Sequence, residues 1–229
     1  MFVKICGITR LEDAQLAVAL GATALGFVLW KESPRAIAPE HARRIIDALP
    51  PGVLAVGVFV NAELARLQEL AGRTGIGAAQ LHGDESAEYC GRVGLPVIKA
   101  VRLHAQAGAR EVEHVAPGCT LLVDSFHPLM RGGTGRRADW ASAAALARVR
   151  RTVLAGGLHA GNVADAIRSV RPWGIDVSSG VESEPGVKDA ARLRAFFDAA
   201  TPHRPPTTDH LTDHRPPLHS RNQDNDRVL

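Results

Sequence analysis

Two residues of this 229-residue chain have the chemistry of a proton-transfer pair. Cys6 ends the apolar run FVKIC, and Asp124 ends the run TLLVD. A thiolate can remove a proton and a carboxylic acid can donate one, so the two residues could act as general base and general acid. Lys4 precedes Cys6 by two positions, which puts both side chains on one face of a strand, where the ammonium would favour a thiolate. The alternatives are a cysteine that packs as a small apolar residue and an aspartate that forms a turn.

Two glycine- and serine-rich turns near the end of the chain have the character of an anion site. They read AGGLHAGN from position 155 and DVSSGVE from position 176. Glycines let backbone N–H groups come close to an anion, and serine hydroxyls can add hydrogen bonds. Ordinary turn chemistry would explain one such turn, but two of them favour a phosphate. The predicted phosphate ligands are Gly156, Gly157, Ser178, Ser179 and Gly180.

Four further polar residues are predicted to bind a substrate. Arg35, in KESPRAI, could hold a carboxylate with two parallel hydrogen bonds, although a solvated loop arginine is the ordinary interpretation. The other three are Gln80 and His82, in the predicted strand 78–82, and Asp176, in the predicted strand 174–179. No HxH or HxxxH pattern accompanies the histidines, so we expect no metal site.

Composition excludes several classes of function. The net charge is only +3 and aromatic residues make up 4% of the chain, with no basic run that contains interleaved aromatics, so we expect no nucleic-acid partner. The apolar segments are short and broken by charge, and the N-terminus MFVKICGITR does not have the form of a signal peptide. Three widely spaced cysteines fit neither a disulfide framework nor a zinc site. These features favour a reduced, cytoplasmic protein that does not bind membranes.

The elements that must position these residues are eight short apolar runs with helical patterns between them. Runs that are apolar throughout suit parallel strands buried on both faces, and eight such units predict a single-domain (β/α)8 barrel, a TIM barrel, over residues 1–200. Active sites of this fold lie at the carboxyl ends of the strands, and loops seven and eight often hold a phosphate. The predicted strands are 2–6, 24–29, 54–60, 78–82, 97–101, 120–124, 152–157 and 174–179.

The sequence also predicts where helices begin, where the barrel domain ends and which loop covers the site. Thr9, Asn61, Asp84 and Asp189 precede helical patterns and are predicted to cap them. The segment 201–229 is rich in Pro, His, Asp and Arg and poor in apolar residues, which predicts a disordered tail. The glycines of RGGTG, at 131–135, predict a lid that closes over a substrate.

The motifs, taken in order, resemble the phosphoribosylanthranilate isomerase family of tryptophan biosynthesis. The resemblance runs from residue 2 to about residue 200 and is specific as an ordered set. The motifs are KICGITR at 4–10, SPRAI at 33–37, GVFVN at 57–61, QLHGDE at 80–85, IKAV at 98–101, GGTG at 132–135, AGGL at 155–158, DVSSGVE at 176–182 and PGVKD at 185–189.

The resemblance implies an Amadori rearrangement of N-(5-phosphoribosyl)anthranilate without a cofactor. It implies that Cys6 is the general base, Asp124 the general acid and Arg35 the residue that faces the anthranilate carboxylate. It also implies that loops seven and eight hold the phosphate. The oligomeric state stays open between a monomer and a homodimer.

Two other functions compete with this interpretation. A related barrel isomerase of histidine biosynthesis would act on a larger, nucleotide-linked substrate. A chain that resembles that family would have two aspartates in its site and a phosphate loop in each half of the barrel. Here the first strand ends in Cys6, and strands three and four lack a matching glycine turn. A non-catalytic barrel that binds a phosphorylated ligand would keep loops seven and eight without needing Cys6 or Asp124.

Overall fold

A computed structural model of the chain describes residues 1–102, 112, 115–124 and 140–201. The predicted lid at 131–135 lies outside the described residues, as does the predicted tail from residue 202 onward. The connection between the fifth and sixth strands is described only in part.

Eight parallel strands pair in chain order and close into a barrel, with the last strand against the first. This confirms the predicted (β/α)8 fold. The strands are short and apolar because both of their faces are covered, one by the barrel interior and the other by helices. Their bounds are β1 (Phe2–Cys6), β2 (Ala24–Val28), β3 (Leu54–Phe59), β4 (Ala78–Leu81), β5 (Val97–Arg102), β6 (Thr120–Asp124), β7 (Thr152–Ala155) and β8 (Gly174–Val177).

Helices flank the barrel, and neighbouring helices contact one another around its outside. Pro39 stands at the first turn of the second helix, where its missing N–H costs no hydrogen bond. The α-helices of the described residues are α1 (Leu11–Ala19), α2 (Pro39–Asp47), α3 (Leu64–Thr74), α4 (Ala87–Arg92), α5 (Trp140–Val149), α6 (Val163–Val170) and α7 (Ala190–Ala200).

The predicted helix caps are correct at one position and wrong at three. Asp189 caps α7, and its carboxylate accepts from the backbone N–H of Arg192 at 2.9 Å. Thr9 does not cap α1, because its hydroxyl donates to the carbonyl of Gly186 at 2.5 Å. Asn61 and Asp84 do not cap α3 and α4 either.

The Asn61 and Asp84 predictions fail because the two loops bind each other. The side-chain oxygen of Asn61 accepts from the backbone N–H of Asp84 at 2.7 Å, which joins the loop after β3 to the loop after β4. Helix α4 begins only at Ala87, and the hydroxyl of Ser86 accepts from the N–H of Tyr89 at 3.2 Å. A tertiary contact therefore occupies the side chain of Asn61, whereas α4 has a local cap two residues later than predicted, at Ser86.

The interior of the barrel contains a cluster of apolar side chains from six strands. Alternation along each strand places every second residue inside. The buried apolar cluster consists of Ala24, Val56, Ala78, Ile98, Leu122, Val153 and Ala155. Lys4 lies inside the same barrel and is fully buried.

A short antiparallel hairpin follows the eighth strand and is not part of the barrel. It consists of β9 (Glu182–Glu184) and β10 (Val187–Lys188) and connects a 3₁₀ turn at Ser179–Val181 to α7. Glu182 and Lys188 are both buried, so the hairpin points charged side chains into the protein. This element is absent from the strands and helices predicted from the sequence.

Candidate active site

Cys6 points into the barrel at the carboxyl end of β1. Its side chain packs with Val28 and Val58, the inward residues that end β2 and approach the end of β3. Lys4, two residues earlier, faces the same interior and donates to Oδ1 of Asp176 on the neighbouring β8 at 2.9 Å. The predicted common face of Lys4 and Cys6 is therefore confirmed, and the costly buried ammonium has a carboxylate partner.

A glycine on the second strand makes room for this thiol. Gly26 is the register partner of Cys6, and a methyl group placed on it would lie 2.8 Å from Sγ of Cys6 and 3.1 Å from Cε of Lys4. A larger residue would have to displace the sulfur or the lysine stem. Gly26 was not among the predicted site residues, because a glycine inside a strand indicates a close approach without showing which group approaches.

Burial raises the pKa of the Cys6 thiol, and the carboxylate of Asp176 raises it further. Lys4 and Lys188 oppose this shift, but their ammonium groups do not offset the burial. Lys4 itself keeps its charge: burial would lower its pKa, yet Asp176 and Cys6 together raise the pKa above the ordinary value. The prediction that Lys4 favours a thiolate is right in direction only. Without a ligand, the thiol form of Cys6 dominates near neutral pH.

Asp124 is the last residue of β6, beside Ala155 of β7 in the register of the sheet. It follows Leu122 by two positions, and Leu122 belongs to the apolar cluster inside the barrel. Alternation therefore directs Asp124 into the mouth as well. Its side chain is partly exposed, whereas Leu122 below it is buried. The two predicted proton carriers thus face one interior from β1 and β6.

Gln80 and His82 lie together at the end of β4. The distance between Nε2 of Gln80 and Nδ1 of His82 is 3.1 Å. Gln80 is only 2% exposed, yet its side-chain oxygen has no hydrogen-bond partner among the described residues. A buried acceptor without a donor costs about 1–3 kcal/mol, so this oxygen is a natural place for a ligand hydroxyl or N–H.

Loops seven and eight interlock. Gly156 and Gly157 have φ values of 84° and 63°, the left-handed region that favours glycine, which explains why β7 ends at Ala155 instead of reaching 157. A methyl group on Gly180 would lie 1.9 Å from the carbonyl oxygen of Leu158, so only glycine fits where loop eight crosses loop seven. Strand β8 likewise stops at Val177, short of the predicted residue 179, because the 3₁₀ turn begins there.

Ser178, a predicted phosphate ligand, contacts two groups within the protein. Its hydroxyl lies 3.1 Å from the carbonyl oxygen of Cys6 and 3.4 Å from Oε1 of Glu182. The loop after β8 is therefore bonded to the turn that carries the thiol. Ser179 and Gly180 continue into the 3₁₀ turn beside loop seven.

Arg35 is already bound within the protein. Its Nε donates to Oε1 of Glu182 at 2.9 Å, and its Nη2 donates to Oε2 at 2.6 Å. Nζ of Lys188 donates to the same carboxylate at 2.7 Å and to the carbonyl oxygen of Cys6 at 2.5 Å. Burial alone would raise the pKa of Glu182, but Arg35 and Lys188 outweigh it and hold that pKa below its ordinary value.

Glu182 and Lys188 are the polar residues of this region that the sequence analysis did not assign. Both stand in the quoted motifs DVSSGVE and PGVKD, so the signal was present without a role. No group of three or more potential metal ligands converges within the described part of the chain. Nor does that part contain a helix of the length and apolarity that a membrane crossing requires.

Comparison with known proteins decides the family. The model of the family described as N-(5'-phosphoribosyl)anthranilate (PRA) isomerase matches residues 3–199. The chain belongs to this isomerase family.

Relatives and solved structures agree with this assignment. A curated N-(5'-phosphoribosyl)anthranilate isomerase from Pelobacter propionicus is 48% identical over 206 residues, which is 90% of this chain and 98% of the relative. A crystal structure of a family member in complex with reduced 1-(o-carboxyphenylamino)-1-deoxyribulose 5-phosphate has a TM-score of 0.76 and 42% identity, covering 87% of this chain and 98% of its own. Monomers generated from the dimeric isomerase of Thermotoga maritima give a TM-score of 0.75 and 40% identity with the same coverage.

Proposed function

We propose that this chain converts N-(5-phosphoribosyl)anthranilate to 1-(o-carboxyphenylamino)-1-deoxyribulose 5-phosphate in tryptophan biosynthesis. The observation that carries the proposal is the inward thiol of Cys6 at the mouth of a barrel into which Asp124 also projects. The family assignment supports the substrate, because the relatives carry this name. The reaction is an Amadori rearrangement, an internal oxidation and reduction that needs two proton carriers.

The first proton moves from Asp124 to the ring oxygen of the ribose. The bond between C1 and that oxygen breaks, and the nitrogen lone pair forms the C1=N bond of an iminium ion. Cys6, as thiolate, then removes the proton from C2, and the C2–H electron pair forms a C1=C2 bond while the nitrogen regains its lone pair. The enolamine gains a proton at C1 and loses the hydroxyl proton at C2, which gives the ketone.

The order of these steps fits the electrostatics of the thiol. Burial keeps Cys6 protonated in the absence of substrate. The iminium ion places a positive charge beside the sulfur, and a nearby positive charge favours the thiolate. The base would therefore form when the acidic C2–H bond is present. Since the iminium makes C2 acidic, the proposed chemistry uses neither a metal nor an organic cofactor.

The remaining predicted residues are proposed to bind the substrate. The backbone of Gly156, Gly157 and Gly180, with the hydroxyls of Ser178 and Ser179, would hold the phosphate. Arg35 would face the anthranilate carboxylate. A second set would contact the sugar hydroxyls. The side-chain oxygen of Gln80 supports this role most directly, because it has no hydrogen-bond partner among the described residues. The other members of this set are His82 and Asp176.

We also propose the wider setting of the protein. Residues 1–200 would form the catalytic domain and residues 201–229 a disordered tail. The enzyme would act in the cytoplasm on a small phosphorylated sugar, without a nucleic-acid or membrane partner. It would be a monomer or a homodimer, since the related Thermotoga maritima isomerase is dimeric. Sedimentation velocity of the full chain decides between these two states.

A turnover assay with two substrates tests the proposal. Purified enzyme is incubated with N-(5-phosphoribosyl)anthranilate and, separately, with the nucleotide-linked substrate of the histidine-pathway isomerase, and the products are separated by chromatography. We expect turnover of the anthranilate derivative. Turnover of the larger substrate alone would support the histidine-pathway alternative. Tight binding of a product analogue without any turnover would support a non-catalytic phosphate-binding barrel.

A further inference from the structure

A buried carboxylate joins three loops at the mouth of the barrel. Glu182, on the hairpin after β8, is 4% exposed and binds Arg35 from the loop after β2. It also binds Lys188, whose ammonium holds the carbonyl of Cys6 at the end of β1. One acidic group therefore connects the proposed base, the proposed carboxylate-binding arginine and the last loop of the barrel.

Both oxygens of Glu182 are occupied within this cluster. Oε1 accepts from Nζ of Lys188 at 2.7 Å, from Nε of Arg35 at 2.9 Å and from the backbone N–H of Gly186 at 3.4 Å. Oε2 accepts from Nη2 of Arg35 at 2.6 Å and from Nε at 3.1 Å. A carboxylate with its acceptors engaged in this way has little capacity left to contact a ligand, so any effect on the reaction must pass through its partners.

The pairing fixes which edge of Arg35 can meet a ligand. Nε and Nη2 form the edge that grips Glu182, so the edge that includes Nη1 is the one left for a ligand. The arginine stem also passes close to Gly7, since a methyl group placed on Gly7 would lie 2.7 Å from Cδ of Arg35. Gly7 has a φ of 75°, which glycine tolerates and which leaves space for this stem. The guanidinium is thus oriented beside the Cys6–Gly7 turn before any ligand arrives.

We propose that Glu182 is a positioning residue that orients Arg35 so that its Nη1 edge receives the carboxylate of the substrate. This inference rests on the proposed function and deepens it, because it assigns recognition of the aromatic acid to a pair of residues on different loops. A guanidinium held at two points loses less conformational freedom on binding than a free one. The carboxylate of the substrate and that of Glu182 would then lie on different edges of one cation.

The test compares two substrates and two hairpin variants. The substrates are N-(5-phosphoribosyl)anthranilate and N-(5-phosphoribosyl)aniline, which lacks the carboxylate. The variants are Glu182→Gln and the control Glu184→Gln, an exposed glutamate two residues further along the same hairpin. The measured quantities are kcat and KM for each enzyme and substrate, with Arg35→Ala measured alongside.

We expect Glu182→Gln to lower kcat/KM for the anthranilate substrate by about 10- to 100-fold, mainly through KM, since hydrogen bonds to charged groups have effects of this size. The same variant should change kcat/KM for the aniline substrate by much less. The double variant Arg35→Ala, Glu182→Gln should be no worse on the anthranilate substrate than Arg35→Ala. Glu184→Gln should match the wild type on both substrates.

Three results would overturn the inference. Glu182→Gln could behave like Glu184→Gln, it could slow both substrates equally, or its effect could add in full to that of Arg35→Ala. If Glu182→Gln does not fold, Glu182→Asp is measured instead, because it moves the carboxylate back by one methylene and keeps the charge. This variant should likewise lose the preference for the anthranilate substrate over the aniline substrate. A wild-type enzyme that turns over neither substrate would instead defeat the proposed function, so the two failures are distinguishable.

Discussion

The barrel interior has two regions that follow different physical rules. The apolar cluster, from Ala24 and Val56 round to Ala155, is buried and carries no charge. The seam where β8 meets β1 is equally buried, yet it contains Lys4 and Asp176, with Glu182 and Lys188 in the hairpin beside it. Apolar burial stabilises a fold, whereas buried ion pairs contribute little or nothing to stability. We therefore expect substitutions in the apolar cluster to change mainly stability, and substitutions in the seam to change the chemistry as well.

Removal of the proposed acid should give the largest effect on turnover. Asp124→Asn keeps the shape of the side chain but cannot donate a carboxylic proton, so kcat should fall by about 10²- to 10⁴-fold. Affinity for the reduced product analogue should change little. Steady-state kinetics and calorimetric binding measure the two quantities. An Asp124→Asn enzyme with wild-type kcat would remove this residue from the mechanism.

Breaking the charged seam should affect both stability and the pH profile. Lys4→Met leaves Asp176 buried without its partner, which should cost about 3–5 kcal/mol in the free energy of unfolding. Adding Asp176→Asn should recover much of that loss, because no uncompensated charge remains. Urea denaturation of the single and double variants measures this coupling.

Lys4→Met should also shift the pH dependence of kcat/KM in one direction. The ammonium of Lys4 lowers the pKa of Cys6, although burial raises it more. The value of kcat/KM should therefore rise with pH as the thiol ionises, and Lys4→Met should move this rise to higher pH. A rise that stays in place, or that moves to lower pH, would show that Lys4 does not act on the base.

Truncating a side chain of the apolar cluster should lower stability without changing the chemistry. Leu122 is 1% exposed inside the barrel, two residues below Asp124. Leu122→Ala should lower the free energy of unfolding by about 2–5 kcal/mol through lost burial and a residual cavity. The pH dependence of kcat/KM should keep its wild-type form. A shifted pH profile in this variant would contradict the claim that the apolar cluster affects stability alone.

The fold was predictable from sequence because its signals are local. Each of the eight apolar runs forms a strand, and four of the strands, β2 to β5, end one residue away from prediction. The largest differences are at β7 and β8, which end two residues early because glycines and a 3₁₀ turn stop the pairing. The cap predictions at Thr9 and Asn61 failed because distant loops bind those side chains. Propensity describes a residue's own neighbourhood, so it cannot anticipate a partner that arrives from more than a hundred residues away, as Gly186 does for Thr9.

The candidate site was predictable in part. The inward face shared by Lys4 and Cys6 followed from alternation, but the partner of Lys4 depends on closure of the barrel between β1 and β8. Glu182 and Lys188 look like ordinary charges of a surface hairpin until folding buries them against Arg35 and Cys6. Arg35 could be proposed as a ligand-binding residue from sequence, whereas the edge proposed to receive the ligand follows only from its pairing with Glu182.

The most direct test of the account is a comparison of Cys6→Ala with Cys90→Ala. Both residues are buried cysteines, but Cys90 lies on α4 outside the barrel. We predict that Cys6→Ala lowers kcat for N-(5-phosphoribosyl)anthranilate by about 10²-fold or more. It should still bind reduced 1-(o-carboxyphenylamino)-1-deoxyribulose 5-phosphate, and Cys90→Ala should keep nearly full turnover. Wild-type turnover by Cys6→Ala would contradict the central claim that this thiol is the base.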